Sequence, residues 1–174
     1  MRDARGEEIQ AILRMNEGIH FDEFLGYLEE ENRRWKQFFE RHPEALNLPL
    51  DIAGDVRSLV LHVFAVELYF ANALSAQPAR DADKLAAANN LDDIFAISGR
   101  AGQIYREFFA TAKPEDWSRQ VELSRIGGSA SKRKLVAQAF THSLRHWAQI
   151  STYLRQQGLK QEWHHDLLMS KAME

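Results

Sequence analysis

The stretch LVLHVFAVELYFA, residues 59–71, is almost continuously apolar and contains only two ionisable residues, His62 and Glu67. The run is shorter than the ~20 apolar residues that a helix needs to cross a bilayer. It therefore predicts a core helix buried on most sides, within a helical segment from about Asp51 to Ala76. Glu67 would point about 140° away from His62, so we interpret it as a charge at an interface or helix edge, with catalysis as the weaker alternative.

Three further segments have helical spacing, and proline or glycine marks most of the breaks between them. Asn90 and Ser131 are suited to begin two of these helices as N-caps, and Gly158 stands where a left-handed C-terminal cap is common. Between Lys113 and Ser131 the sequence also hints at an extended stretch, from about Trp117 to Leu123, before Gly127 and Gly128 turn the chain. The three predicted helices run from about Phe21 to Arg41, from about Asn90 to Pro114, and from about Ser131 to Gln157.

Four amphipathic helices with few strands predict an all-α fold, a four-helix bundle with long connections between helices. The length of 174 residues suits one domain. We place that domain at residues 19–174 and treat residues 1–18 as an N-terminal extension. The tail from Glu162 contains Trp163, Leu167 and Leu168, and this apolar content predicts that the tail docks on the bundle.

Composition narrows the classes of function. The chain has no cysteine, which excludes disulfides, thiolate zinc sites and cysteine nucleophiles and leaves histidine and carboxylate as metal ligands. The net charge of −3 gives no basic excess for a phosphate backbone, so we expect no nucleic-acid partner. The charged N-terminus lacks the apolar centre of an export signal. We therefore expect a cytoplasmic protein with no membrane partner.

Three histidines are the candidate metal ligands. His142 and His146 are four residues apart on the inward stripe of the last predicted helix, a spacing at which two imidazoles can chelate one ion. His62 lies in the most apolar part of the chain, where we expect burial to keep its ring neutral. A single core histidine is more simply explained by a hydrogen bond to a neighbour, but three that converge inside a bundle favour a metal site.

The other histidines have simpler explanations. His20 and His42 fall at the ends of the first helix, where caps and solvent contacts are usual. His164 and His165 are adjacent and would point in different directions, which suggests structural or surface roles. Two Glu-x-x-His patterns match the spacing of di-iron bundles, but they lie near the chain ends, outside the four main helices. These rival patterns are Glu17-x-x-His20 and Glu162-x-x-His165.

Two helical sequences resemble the DinB-like superfamily, also called DinB/YfiT-like. They are LVLHVFAVE at residues 59–67 and THSLRHWAQI at residues 141–150, the second continuing into STYLRQQG at residues 151–158. The resemblance covers about Phe21 to Leu168 and implies a four-helix bundle that is commonly dimeric. It also implies zinc or nickel bound by His62, His142 and His146. Characterised relatives include thiol-dependent S-transferases and a maleylpyruvate isomerase.

Three neutral histidines plus water form the open arrangement of a catalytic zinc site. The leading hypothesis is a transferase that activates a low-molecular-weight thiol. The absence of cysteine from the chain is consistent with this thiol being a second substrate. One alternative is a hydrolase that uses a metal-bound hydroxide. Others are a non-catalytic helical dimer that binds metal or ligand, and a plain interaction bundle with core histidines. Gln149 and Tyr153 are candidate pocket residues, as is Tyr69, with helix packing as the alternative for each.

Overall fold

The computed structural model describes residues 20–51, 53–75, 88, 90–124 and 126–172. The extension predicted at residues 1–18 lies outside these residues, so the domain boundary stays a prediction. Within the described residues the protein is mostly helical, which confirms the predicted all-α fold. The α-helices are α1 (Phe21–Arg41), α2 (Val56–Ser75), α3 (Leu91–Thr111), α4 (Pro114–Ser118) and α5 (Lys132–Gln156).

The polar ends of the helices follow the sequence signals. The side chain of Asn90 accepts a hydrogen bond from the Asp93 backbone N–H at 2.8 Å, and the Ser131 hydroxyl accepts one from the Lys134 N–H at 3.3 Å. Gly158 has φ 82°, the left-handed conformation that stops α5. Local side-chain chemistry therefore fixes where α3 and α5 begin and where α5 ends.

Helix α2 begins later than predicted. The chain before it forms a short antiparallel pair, β1 (Pro49–Leu50) with β2 (Gly54–Asp55), so the helix starts at Val56 and not near Asp51. The Asp55 carboxylate accepts a hydrogen bond from the Ser58 N–H at 2.7 Å. This contact caps the first turn and marks the start of the helix. The helical spacing of the sequence before Asp55 therefore did not indicate where the helix begins.

The connection between α3 and α5 contains both a helix and a hairpin. Trp117, predicted to be extended, lies in α4 because Pro114 begins a new helical turn after α3 has ended at Thr111. The extended stretch is confined to β3 (Gln120–Glu122), which pairs antiparallel with β4 (Ser129–Ser131). Gly127 and Gly128 both have positive φ in the turn between these strands.

The four long helices pack so that α1 and α2 each lie between α3 and α5. Helices that are consecutive in sequence, α1 and α2, are therefore diagonal in the bundle. At the centre, the rings of Trp35 and Trp147 stack with centroids 5.0 Å apart, and the Phe64 ring meets Trp147 edge-on. This arrangement brings α2 directly against α5, the two helices that carry the candidate ligands.

Helix α2 is the candidate membrane span within the described residues, by length and composition alone. In its most apolar window 56 % of the residues are buried inside the protein. Core helices of soluble proteins pass the same test of length and composition. The packing of α2 against α3 and α5 accounts for its apolar sequence.

The C-terminal segment docks on α1, as its apolar content predicted. Trp163 packs edge-on against Trp35 with ring centroids 5.2 Å apart, and its indole N–H donates to the Glu31 carboxylate. Leu168 does not take part, since 84 % of it is exposed. The docking is thus aromatic and polar, which the apolar residues of the tail did not indicate.

Candidate metal centre

Helices α2 and α5 bring His62, His142 and His146 together. The Nε2 atom of His142 lies 3.2 Å from Nε2 of His62 and 3.1 Å from Nε2 of His146. One ligand atom from each ring lies within 4.8 Å of the others. The convergence that the sequence predicted is therefore present, and His142 stands between the other two rings.

The three histidines differ in depth. His142 is buried, His146 is half-buried and His62 is exposed. The expectation that His62 is buried is therefore wrong. Leu59 and Val63 take the inward positions of α2, and His62 lies to the side of them, because neighbours in a helical sequence do not share a face. The cluster consequently reaches from the bundle interior to the surface.

Burial keeps the α5 histidines uncharged near neutral pH. Desolvation lowers the pKa of His142 to about 4, and the neighbouring rings of His146 and His62 and the Arg145 guanidinium act in the same direction. Desolvation also lowers the pKa of His146, opposed by its hydrogen bond to Gln149. A metal ion requires neutral imidazole, so both rings are held in the form that can ligate.

Gln149 orients one of the ligands. Its side-chain oxygen lies 2.6 Å from Nδ1 of His146, so that nitrogen is the N–H donor and Nε2 of the same ring keeps its lone pair. The lone pair therefore faces His142 and the centre of the cluster. Gln149, predicted as a candidate pocket residue, thus lies behind a candidate metal-ligating histidine.

The donor set fits a divalent metal ion. Ligand nitrogens at the usual zinc distance of ~2.0–2.1 Å in a tetrahedral site are ~3.3 Å from one another. Two of the three Nε2 separations in the cluster, 3.2 Å for His62–His142 and 3.1 Å for His146–His142, are close to this value. Within the described part of the chain, the group of candidate ligands has three members and all are histidines. Such a set leaves one tetrahedral position for water or substrate, as catalytic zinc sites do.

Glu67 does not lie at a helix edge, and its interpretation as an interface charge is wrong. It is only 5 % exposed, and its carboxyl accepts hydrogen bonds from the Ser143 and Ser98 hydroxyls at 2.7 and 2.9 Å. Desolvation raises its pKa to about 7, against the lowering effect of these hydrogen bonds. Glu67 shares the inward face of the helix with Val60 and Val63, which are also buried.

The other described residues singled out in the sequence have partners outside the three-histidine cluster, and the pocket roles of Tyr153 and Tyr69 stay predictions. The Tyr153 hydroxyl donates to the Pro49 carbonyl, and the Tyr69 ring packs beside Phe70. His20 and His42 flank α1 as predicted. Glu162 and His165 do not act together.

The two residues of the second di-iron pattern have separate partners. Glu162 pairs with Arg41 at 2.6 Å, while Nδ1 of His165 lies 2.6 Å from the Glu31 carboxylate. Glu17 of the first pattern lies outside the described residues. The sequence spacing of Glu162 and His165 therefore does not produce a shared metal site.

The sequence model described as the DinB family matches residues 15–173, which is nearly the whole chain and includes all three histidines of the cluster. No curated protein matches the chain.

Proposed function

The chain belongs to the DinB family, and from this membership together with its three-histidine cluster we propose that it is a metal-dependent enzyme whose ion is held by His62, His142 and His146. The observation that carries the proposal is the convergence of three imidazole nitrogens without a fourth protein ligand in the described residues. A structural zinc site would be closed by four protein ligands. Three ligands and an exposed His62 leave the cluster accessible from solvent.

We propose that the reaction is a group transfer in which the metal activates a low-molecular-weight thiol. Zinc or nickel, the two metals proposed, would supply Lewis acidity and favour the thiolate form of the substrate. The chain has no cysteine, so the nucleophilic sulfur must come from a small substrate. Gln149 holds the His146 ring in the ligating tautomer, and the neutral His142 can ligate without first losing a proton near pH 7.

The assembly and cellular setting complete the proposal. We propose a cytoplasmic homodimer that acts on small molecules, without nucleic-acid or membrane partners. The lack of cysteine supports the cytoplasm, the net charge of −3 argues against a nucleic-acid partner, and the burial of the apolar helix α2 argues against a membrane. The dimer rests on the family resemblance alone. Light scattering at several protein concentrations would test the dimer separately from the chemistry.

The metal is tested first, by elemental analysis of protein purified without added metal. We expect about one divalent ion per chain in the wild type and its loss in His142→Ala. His164→Ala is the matched control, because His164 is exposed and outside the cluster. A wild type that neither contains nor takes up zinc or nickel would disprove the proposal.

The reaction is tested on the same metal-loaded sample with two substrate panels. One panel pairs small thiols with electrophiles, and the other contains simple esters and amides. A metal-dependent hydrolase would have the same three ligands and is the alternative. Metal-dependent thiol conjugation without ester or amide turnover supports the transferase. The reverse result supports the hydrolase, and turnover in neither panel favours a non-catalytic metal-binding protein.

A further inference from the structure

The residue after each α5 ligand points into the core and is hydrogen-bonded there. Ser143 follows His142 and is fully buried, and Trp147 follows His146 and is 2 % exposed. The Ser143 hydroxyl donates to the Glu67 carboxyl at 2.7 Å, and the Trp147 indole N–H donates to the Asn32 side chain at 2.9 Å. Each of the two ligand positions on α5 is thus next to a residue that is held in the core by a hydrogen bond.

A single buried network joins these two positions. The Asn32 amide donates to the Ser98 hydroxyl at 2.8 Å, and that hydroxyl donates to Glu67 at 2.9 Å. The chain of hydrogen bonds therefore leaves α5 at Ser143, passes through α2, α3 and α1, and returns to α5 at Trp147. Each of the four long helices contributes a member of this network.

We propose that Glu67 and Ser143 are positioning residues for the metal centre: their hydrogen bond fixes α2 against α5 so that His62 meets His142 and His146. This inference rests on the proposed metal site. Glu67 is five residues beyond His62 on α2, and Ser143 is adjacent to His142 on α5. The Glu67–Ser143 contact therefore lies about one helical turn from the point at which α2 and α5 would share the ion.

The required accuracy explains why such a contact matters. A displacement of one residue along a helix moves a side chain by about 1.5 Å, whereas metal–ligand distances tolerate about 0.2 Å. Interdigitated apolar side chains also resist sliding, but a core accepts different packings of similar volume at low cost. A buried carboxyl that accepts two hydroxyl donors is directional, and sliding α2 against α5 would leave polar groups unpaired.

The conservative variant Glu67→Gln should preserve the network. Its amide oxygen can accept from Ser98, and its amide N–H can donate to the Ser143 oxygen. The Ser143 hydroxyl can then donate to the Ala139 carbonyl, which already lies 3.1 Å away. Glu67→Leu has similar size and removes both acceptors. These two variants separate hydrogen bonding from packing.

The test is the zinc dissociation constant, measured with Zn²⁺ alone in competition with a coloured chelator. We expect Ser143→Ala and Glu67→Leu to weaken zinc binding about 10–100-fold, as loss of a residue that supports a metal ligand typically does, and Glu67→Gln to stay within about threefold of wild type. Ser151→Ala is the matched control, since Ser151 is a buried α5 serine whose hydroxyl donates to Gln161. It should leave zinc affinity unchanged.

A second measurement separates a positioning role of Ser143 from a purely structural one. The absorption spectrum of the Co²⁺-loaded protein reports coordination geometry, and it should change in Ser143→Ala but not in Ser151→Ala. The effect of Ser143→Ala on zinc affinity should also vanish in a Glu67→Leu background, because both substitutions remove the same hydrogen bond. If Glu67→Leu does not fold, Ser143→Ala and Glu67→Gln still decide the question.

The outcomes distinguish this inference from the proposed function. Wild-type protein that binds no zinc overturns both. Wild-type binding that is lost in His142→Ala, but unchanged in Ser143→Ala and Glu67→Leu, overturns only the positioning role. Equal weakening in Ser143→Ala and Ser151→Ala also overturns it, because general loss of α5 packing would then explain the result.

Discussion

The Nε2 atoms of His62 and His142 lie 3.2 Å apart, although the two residues are 80 positions apart in sequence. Two neutral imidazoles at this distance can share a proton or bind a common ion. The third ring makes sharing of a proton between His62 and His142 less favourable, because the Nε2 atom of His146 lies 3.1 Å from the same His142 atom. The arrangement therefore concentrates lone pairs at one point, and a divalent cation relieves their mutual repulsion.

Zinc should stabilise the folded protein through this cluster. At a free concentration about 100 times the dissociation constant, binding to the native state alone adds ~2.7 kcal/mol to the free energy of unfolding. Urea denaturation with zinc and with a chelator measures the difference. His142→Ala should abolish it, and His164→Ala should retain it. Equal responses in the two variants would show that zinc binds elsewhere.

Gln149 should determine how well His146 ligates. Gln149→Ala removes the acceptor that fixes the ring tautomer, so we expect zinc affinity to fall about 10-fold with little change in the stability of the metal-free protein. Gln149→Glu keeps an acceptor for Nδ1–H and should preserve affinity. Gln138→Ala, at an exposed position of the same helix, is the control. Unchanged affinity in Gln149→Ala would contradict the assigned role.

The sequence predicted the bundle from the periodicity of its helices. It predicted the convergence of the three histidines from the i,i+4 spacing of His142 and His146, the place of His62 in the apolar helix and the family resemblance. Helix ends at Asn90, Ser131 and Gly158 follow from side-chain and backbone chemistry within a few residues. The exposure of His62 and the burial of Glu67 could not be obtained in that way. They depend on which side of α2 faces α3 and α5, and an almost wholly apolar helix has little amphipathic asymmetry to indicate it.

Acid should destabilise the metal-free protein partly through His142. Its folded-state pKa of about 4 lies below the unfolded value of 6.5, so its contribution to stability is present above pH 6.5 and is lost as the pH falls through about 4. NMR titration of the ring should show a neutral imidazole at pH 5.5. His142→Leu should remove this component of the pH dependence. A measured pKa at or above 6.5 would contradict the burial argument.

Glu67 should have the opposite pH dependence. Its pKa is raised from 4.5 to about 7, so its contribution is present below pH 4.5 and is lost as the pH rises through about 7. Glu67→Gln removes the titration and keeps the hydrogen bonds. The stability of this variant relative to wild type should increase between pH 4.5 and pH 8 by on the order of 3 kcal/mol.

Urea unfolding of the metal-free proteins at both pH values measures this difference. Glu122→Gln is the control, because Glu122 is exposed on β3 and its substitution should produce little pH-dependent change. A constant difference between Glu67→Gln and wild type across the pH range would mean that the buried carboxyl does not titrate near pH 7.

Two of the carboxylates that hold the C-terminal segment, Glu31 and Glu162, should differ in their contribution to stability. Glu31 has a side chain only 2 % exposed and accepts from the Trp163 indole and Nδ1 of His165, so Glu31→Ala leaves two half-buried donors without their acceptor and should cost about 1–3 kcal/mol. Glu162→Ala removes only an exposed pair with Arg41 and should cost less than about 1 kcal/mol. Thermal unfolding of both variants tests this order. Equal losses, or a loss confined to Glu162→Ala, would show that Glu31 is not the main anchor of the segment.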